Sequence, residues 1–480
     1  MQSAEPSESK RHQLITAGSI IGFAVLVALW WGLLWFVLPV EWLQGTLPSL
    51  VLVHVAPPPL VVATWWAGKR AWNWRVTRAE ERATAAGEAE KKAELEKAKA
   101  AHQEKLDRRH ALVECRAVWA EFARMPGWAE AGTEQCELTK QAPETIRGIG
   151  RDTALISSLE RVFKAAFKQC EATAWLPVVF VDHDPNQSDW AGEAWQQAVK
   201  ESGIEYVPSQ PHCKVLTGAG VIPDRLITMF EHDPACPAVI LLGMDSPLAD
   251  PMLTRSPGAI EPGHAVVAVL IGRPELLAPG SVAPPPEEGE NSMTPFWERN
   301  QPGETDPTQW GRIPPPYREG LWNLSPIATL HRAHTLISLD SDGDSVKERK
   351  TREAISEAHI DAGLRDWPFE ADKQGAQPKP AQPEPELSEL GWLVHNSRSA
   401  ASLVEFILAL EGSGYEKVNP SAKAGELKKE FGEIGKARSV LMLAEALVCA
   451  AQLQKPVLVA ETCDGGEMRI GFARPVEKPT

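Results

Sequence analysis

Two histidines stand at a spacing that could bind a metal ion. His331 and His334, in the string HRAH, would share one face of a helix. A helical zinc site normally reads HExxH and has an acidic third ligand nearby, and this string has neither. We therefore interpret the pair as surface or core histidines and predict no metal site.

Two further strings resemble ligand-binding loops. Asp340 to Ser345 (DSDGDS) is similar to a calcium loop, but Ser345 replaces the expected glycine and Thr351 replaces the bidentate glutamate at the twelfth position. Thr217 to Gly220 (TGAG) is a lone GxG, and Pro223 stands where a phosphate-binding loop would enter a helix smoothly. We predict a solvated acidic turn and no phosphate or cofactor site.

The cysteines and the net charge limit the classes of function. Seven cysteines are scattered without a CxxC pair, which favours reduced thiols in a cytosolic domain over disulfides or a zinc site. The net charge of −15 argues against a nucleic-acid-binding surface, which would need a basic stripe.

An apolar block predicts a membrane anchor over residues 1–75. Leu14 to Val40 is uncharged and longer than the roughly 20 residues that a helix needs to cross a bilayer. Trp42 to Gly68 is also uncharged, but Pro57 to Pro59 lie in its middle, so a kinked spanning helix and a re-entrant segment are both open. Basic residues flank both ends, so the positive-inside rule predicts a transmembrane hairpin with both ends in the cytoplasm. If the second apolar segment did not cross back through the membrane, the bulk of the chain would be periplasmic.

A charged region follows over residues 76–125. Val76 to Arg124 is rich in Ala, Glu, Lys and Arg, which predicts a long helix. Its first half lacks a sustained apolar seam, so we favour a solvated spacer over a coiled coil that would form a dimer.

The rest of the sequence alternates buried strands and amphipathic helices. Apolar runs such as Leu176 to Val181, Ala238 to Gly243 and His264 to Ile271 predict strands covered on both faces in a layered α/β fold. We divide this globular region into halves at residues 126–325 and 326–480. A nearly all-apolar helix over Lys436 to Leu453 and a closing hairpin over residues 456–473 complete the second half.

Each half contains a segment rich in proline. Residues 277–320 are predicted to be a long loop, and residues 368–386 a flexible insertion. The loop carries Trp297 and Trp310, which could pack on the domain or act as partner anchors, because aromatic residues dominate binding hot spots.

Two parts of the globular region resemble the thiolase and ketoacyl synthase fold. Phe431 to Ala473 is similar to the end of that fold, where a glycine-rich turn opens a buried helix followed by a hairpin, and Ala238 to Leu248 with His264 to Pro274 are similar to two strands of its first half. The resemblance implies a histidine after the first glycine of the turn, where this chain has Glu433. The candidate nucleophile is Cys213, and His395-Asn396-Ser397 stands near a second histidine motif but lacks its glycine.

The whole arrangement resembles the type VI secretion lipase adaptor family. The strings that carry this likeness are VVFVDHDPNQSDW (178–190), ILLGMDSPL (240–248) and EIGKARSVLMLAEAL (433–447). The resemblance implies a protein of the bacterial inner membrane that is not an enzyme. Its cytoplasmic domain would bind a phospholipase effector and deliver it to the secretion spike.

Two other functions stay open at this point. One is a membrane-associated, thiolase-like enzyme that transfers acyl groups through Cys213. The other is a structural membrane protein that forms oligomers through the charged helix.

Overall fold

The computed structural model describes most of the chain, which forms two compact units over residues 1–101 and 102–480. The described residues are 8–36, 46, 53–54, 56–130, 134–182, 184–205, 207–218, 220–233, 236–250, 260–274, 276, 313–337, 348–367, 369, 390–396, 400–413, 415, 424–463 and 467–476.

Helices α1 (Glu8–Phe36) and α2 (Pro57–Arg109) begin the chain. The two predicted membrane spans fall partly outside the described residues. Within the part that is described, no helix has both the length and the apolar character needed to cross a membrane. The predicted transmembrane hairpin therefore finds no support in the structure.

The prolines and the charged region differ from their predicted roles. Pro57 begins α2 instead of interrupting a helix, and proline is tolerated there because the first N–H groups of a helix have no partner. The predicted helix up to Arg124 is wrong at its end, because α2 stops at Arg109 and Leu112–Phe122 forms strand β1. Nearly all of β1 is buried, and that burial outweighs the helix propensity of its Ala, Glu and Arg residues.

The first half of the globular unit is a five-stranded sheet with one extra strand. Its order is β4-β3-β5-β6-β1, and β2 pairs in parallel with the end of β1. The strands after β1 are β2 (Cys136–Lys140), β3 (Val178–Phe180), β4 (Cys213–Val215), β5 (Ala238–Asp245) and β6 (Ala265–Gly272). The helices are α3 (Gly127–Glu130), α4 (Pro143–Ile149), α5 (Arg151–Gln169), α6 (Gln187–Ser202) and α7 (Ile222–His232).

The second half repeats this topology. Its strands are β7 (Ala328–Ile337), β8 (Trp392–His395), β9 (Ala424–Glu426), β10 (Val457–Thr462) and β11 (Glu467–Pro475), in the order β9-β8-β10-β11-β7. Its helices are α9 (Glu348–Asp361), α10 (Ala400–Glu411), α11 (Leu427–Phe431) and α12 (Arg438–Leu453). Helix α8 (Pro315–Trp322) precedes β7 and packs with the outer core of the first half. We leave out β2 and number the strands of each half in chain order. Both halves then have the spatial order third, second, fourth, fifth, first, and corresponding neighbours pair in the same orientation, parallel or antiparallel.

Antiparallel pairing of β1 with β7 joins the halves. Helices α5 and α6 cover the outer face of the first half, and α9 and α10 cover that of the second. Helices α7 and α12 pack with residues from the inner faces of both halves in one core cluster. The result is five layers, which confirms the predicted layered α/β fold.

The inner layer demands close approach between α12 and the first sheet. Gly243 of β5 faces Val440 of α12, and a Cβ atom at Gly243 would lie 2.6 Å from Val440 Cβ. Any side chain there would push the helix off the sheet, because packed interiors have no room for an extra methyl group.

Glu445 is a carboxyl group inside this apolar layer. Its side chain is fully buried, its Oε1 atom accepts a hydrogen bond from Trp392 Nε1 at 3.1 Å, and its Oε2 atom has no described partner. Burial, and then the charge of Glu430, raise the pKa of Glu445 well above its ordinary value. The folded protein therefore holds Glu445 neutral over a pH range in which the unfolded chain ionises it, so its contribution to stability falls as the pH rises above the ordinary carboxyl pKa.

We predict that Glu445→Gln stabilises the protein at pH 8. The amide keeps an acceptor for Trp392 and cannot ionise, so the pH-dependent penalty is lost and the free energy of unfolding at pH 8 should rise by about 1–3 kcal/mol. Near pH 4.5 the two proteins should differ little. Urea unfolding of the full-length chain at both pH values measures this, with Glu193→Gln on the exposed side of α6 as the control. A loss of stability at pH 8 would contradict the prediction.

Candidate functional site

Four segments that are far apart in the sequence meet where the two halves join. Lys436 Nζ donates a hydrogen bond to Asp184 Oδ2 at 2.8 Å, and the backbone N–H of Lys436 donates to Asp245 Oδ2 at 3.0 Å. Arg151 Nη2 donates to Asp245 Oδ1 at 2.9 Å. We call Arg151, Asp184, Asp245 and Lys436 the junction cluster.

The fold explains why these residues converge. Strands β3 and β5 are parallel, so Asp184 beyond β3 and Asp245 at the end of β5 lie at the same edge of the sheet. Gly435 brings the turn before α12 against Asp245: its φ is 49°, and a Cβ atom there would lie 2.0 Å from Asp245 Oδ2. Only glycine fits this position.

The junction cluster is charged and reaches solvent. The hydrogen bond from Lys436 lowers the pKa of Asp184 below its ordinary value, so this carboxylate is ionised at neutral pH. The side chains of Lys436 and Arg151 are 39% and 36% exposed. Such a cluster can hold the halves together and can bind polar groups of a ligand or partner, and its two carboxylates and its lysine amine are all engaged in hydrogen bonds.

Glu433, which stands where the resemblance implies a histidine, has a structural contact instead. Its Oε1 atom accepts hydrogen bonds from the backbone N–H of Gly435 at 3.2 Å and from Arg438 Nη2 at 3.3 Å. The glutamate therefore stabilises the turn that leads into α12.

A chain of polar side chains crosses the first half beneath the surface. His264 Nε2 lies 3.0 Å from Ser158 Oγ, and its Nδ1 atom lies 2.8 Å from Ser246 Oγ. Ser158 Oγ also donates to Glu121 at 2.6 Å, and Arg161 binds that carboxylate with two nitrogens. These are the residue types of a hydrolytic triad, but the serine stands between the carboxylate and the imidazole instead of beyond it.

This hydrogen-bonded network of side chains is buried. The side chains of Ser158, Ser246 and His264 are at most 1% exposed, and burial lowers the pKa of His264 to about 4. Within the network, each of these buried polar side chains has a hydrogen-bond partner.

A small cavity of about 30 Å³ lies between the halves, beside the start of α7. His331, Ser439, Glu461 and Arg469 supply its polar lining. Ser439 donates a hydrogen bond to Glu461, whose other oxygen lies 3.4 Å from Arg469 Nη1. Burial lowers the pKa of His331 to about 3. The cavity has room for about one water molecule.

Cys213 lies on β4, and no described hydrogen bond joins it to the junction cluster or to the His264 network. Burial raises the pKa of its thiol to about 11, although a hydrogen bond with Ser188 acts in the opposite direction. A nucleophilic thiol needs a lowered pKa and a nearby base or cation. The described surroundings of Cys213 provide a hydroxyl partner instead.

His395 and Asn396 lie at the end of strand β8 in the second half. The side chain of Asn396 exchanges two hydrogen bonds with the backbone of Thr462, at 3.0 and 2.6 Å, and so ties the end of β8 to β10. Burial lowers the pKa of His395. Ser397 lies outside the described residues.

The paired histidines are not on a helix, so the prediction that they share a helical face is wrong. They lie on β7, where residues three apart point to opposite faces of the sheet. His331 lines the small cavity, whereas His334 contacts Asp361. Pairing with both β1 and β11 makes this segment a central strand.

The glycine pair forms a tight turn into α7. Gly218 and Gly220 have φ values of 110° and 99°, and Pro223 lies in the first turn of the helix, where proline is compatible with it. Asp224 places a carboxylate in that turn, which opposes phosphate binding. The segment 340–345, Trp297 and Trp310 lie outside the described residues.

Sequence reasoning missed the junction cluster and the His264 network. One signal was available, because an aspartate follows a buried apolar run at both Asp182–Asp184 and Asp245, and such ends meet at one edge of a parallel sheet. Their link to Lys436 needs the second half of the fold and leaves no local pattern.

Comparison with known proteins gives no matching family model and no matching curated protein. Solved structures do resemble the chain. The peroxisomal 3-ketoacyl-CoA thiolase of Saccharomyces cerevisiae is 12% identical with a TM-score of 0.41, covering 77% of this chain and 98% of that one. An acetyl-CoA acetyltransferase from Syntrophomonas wolfei is 6% identical with a TM-score of 0.39, covering 76% and 98%. A 3-oxoacyl-(acyl-carrier-protein) synthase III from Aquifex aeolicus is 12% identical with a TM-score of 0.35, covering 75% and 99%.

These structures correct one prediction. The proteins that the chain resembles are enzymes, which contradicts the prediction that it is not an enzyme. The likeness concerns the fold alone and assigns no reaction or substrate. The yeast thiolase is described as five layers built from two core domains of identical topology. For this chain, the strand order and the helix layers of the described residues themselves give a layered α/β fold.

Proposed function

We propose that this chain is an adaptor of the type VI secretion lipase adaptor kind. It would bind a phospholipase effector in the cytoplasm and deliver it to the secretion spike. The apolar N-terminal sequence would tether it to the bacterial inner membrane, with the globular unit on the cytoplasmic side. The proposal concerns binding and does not depend on whether the chain also has catalytic activity.

The observation that carries this proposal is the convergence of the strings on which the resemblance rests. Asp184 belongs to the first string, Asp245 to the second and Lys436 to the third, and all three meet in the junction cluster. Strings that are similar to one family and that assemble into one structural feature support the resemblance more than isolated strings would.

The surroundings of Cys213 favour this proposal over acyl transfer through that thiol. A pKa of about 11 leaves a thiolate fraction at neutral pH roughly a hundredfold below that of an ordinary cysteine. Glu433 and Asn396 are likewise engaged in contacts that hold the backbone.

We predict that Cys213 reacts slowly with iodoacetamide at pH 7. Its raised pKa and burial should make alkylation at least tenfold slower in the folded full-length chain than in the same chain unfolded in urea. Quantitative peptide mass spectrometry gives both rates, and the unfolded chain is the control. A rate faster in the folded chain would revive the acyl-transfer function.

We predict that the tagged full-length chain, extracted in mild detergent from its own host, recovers a lipase and a spike protein. Mass spectrometry of the bound fraction identifies them, with the untagged chain as background. Recovery of acyl carriers or lipid-metabolism enzymes without either of these would contradict the adaptor function.

The same capture tests the two tryptophans of the Pro-rich loop. If Trp297 and Trp310 anchor the partner, replacing both by Ala should lower recovery of the lipase at least tenfold, because buried aromatic anchors dominate binding energy. Trp322→Ala, at a 43% exposed tryptophan in α8, is the matched control. Equal recovery with the double variant would exclude the anchoring role of the two tryptophans and would leave the adaptor function itself untouched.

A further inference from the structure

A groove beside strand β2 is cationic in an otherwise acidic chain. It encloses about 340 Å³ between β2 and helix α5, on the outer face of the first half. Its lining includes four cations, Lys140, Arg161, Lys164 and Lys168, and two carboxylates, Glu121 and Glu137. Within the lining the cations outnumber the carboxylates, although the whole chain carries −15.

Two of these cations are already paired. Arg161 binds Glu121 through Nε at 2.5 Å and Nη2 at 2.7 Å, and Lys164 binds Glu160 and Glu201. Lys140 and Lys168 have no ion pair among the described residues. Their charges are available to an anionic ligand, although Glu137 lies in the same lining and Lys164 contacts two carboxylates.

The backbone of β2 has one open edge. Val118 N–H donates to Gln135 C=O at 3.1 Å, and Gln141 N–H donates to Phe122 C=O at 2.8 Å, so the odd-numbered residues of β2 bond to β1. Backbone groups alternate along a strand, and those of Leu138 and Lys140 therefore point away from β1. No described strand pairs with that side. An unpaired edge is a template for adding a strand from another chain.

The side chains beside the edge define the chemistry of an added strand. Glu137 and Thr139 line the groove, whereas Cys136 and Leu138 pack partly buried on the opposite face against the inner core. A strand added here would place alternate residues over the cations and the others beside Leu138. An alternation of acidic and apolar residues would match both faces.

We propose that the open edge of β2 and the cationic groove bind an extended, acidic segment of a protein partner, which adds to the sheet as a further strand. This surface goes beyond the proposed function, because it follows from the edge and its charges whatever the partner is. Five residues of β2 span about 17 Å, so a segment of about seven residues suffices.

The test uses a fluorescent peptide of alternating glutamate and valine, about seven residues long, with purified full-length chain at low salt. Fluorescence anisotropy should show saturable binding. Replacing both free lysines, Lys140→Glu with Lys168→Glu, should weaken it at least tenfold. Lys350→Glu, at an exposed lysine on α9, should change it less than twofold and is the matched control. Thermal melts confirm that all variants are folded.

A second peptide separates strand addition from simple charge attraction. Methylating alternate backbone nitrogens keeps the charge and removes the N–H groups that a ladder needs, so binding should fall at least tenfold. Equal binding of the methylated peptide, equal binding by the lysine double variant, or no binding at all would overturn the proposal. If the peptide fails to bind and sedimentation shows a dimer that the lysine variant abolishes, the edge pairs with a second copy of the chain instead.

Discussion

The layer of helices between the two sheets is the constraint on which the rest of the structure depends. Helices α7 and α12 pack against apolar residues of both halves, and α12 buries every residue from Val440 to Ala450. A helix in this place must be apolar around its whole circumference. Each polar group near it must be neutral or paired, because burying an unpaired charge costs several kcal/mol. Glu445, held neutral by its raised pKa, and Ser439, paired with Glu461, show the two solutions.

The repeated topology follows from the same constraint. Either sheet alone would expose its inner face and leave its inner helix uncovered, and stacking two copies buries both faces around one layer. The repeat is not visible in the sequence, since nothing in the topology requires the same residue at corresponding places. The junction cluster, with Asp184 and Asp245 from one half and Lys436 from the other, adds a charged contact at the edge of this interface.

The sequence predicted best those segments whose burial leaves a clear apolar pattern. Buried strands such as β5 and β6, the apolar helix α12 and the closing hairpin are continuous apolar runs with clear boundaries, and they are confirmed. Strand β1 was misassigned because its Glu, Arg and Ala residues favour helix locally, while its burial between layers is a tertiary effect. The same cause misplaced His331 and His334, whose strand is set by pairing with β1 and β11.

The candidate site was less predictable than the fold because its members are joined only in three dimensions. The signal for Asp184 and Asp245 was their place after buried strands, but their partner Lys436 comes from a turn whose approach requires Gly435. The chain Glu121, Ser158, His264 and Ser246 has no spacing that a motif could capture, since each residue lies on a different element or beside one.

The electrostatic character of these groups bears on function. Proton transfer at neutral pH needs an accessible group whose pKa lies near 7. Burial instead lowers the pKa of His264 and His359 to about 4 and that of His331 to about 3, and it raises that of Cys213 to about 11. Association needs only accessible groups of complementary charge and shape. The junction cluster keeps charged atoms at the surface after pairing most of them internally. Within the described part of the chain, the outward edge of β2 pairs with no strand, and Lys140 and Lys168 form no ion pair. Among the described residues, the junction cluster and the edge of β2 therefore present charged groups to solvent, whereas burial shifts the pKa values of the titratable groups inside the layers.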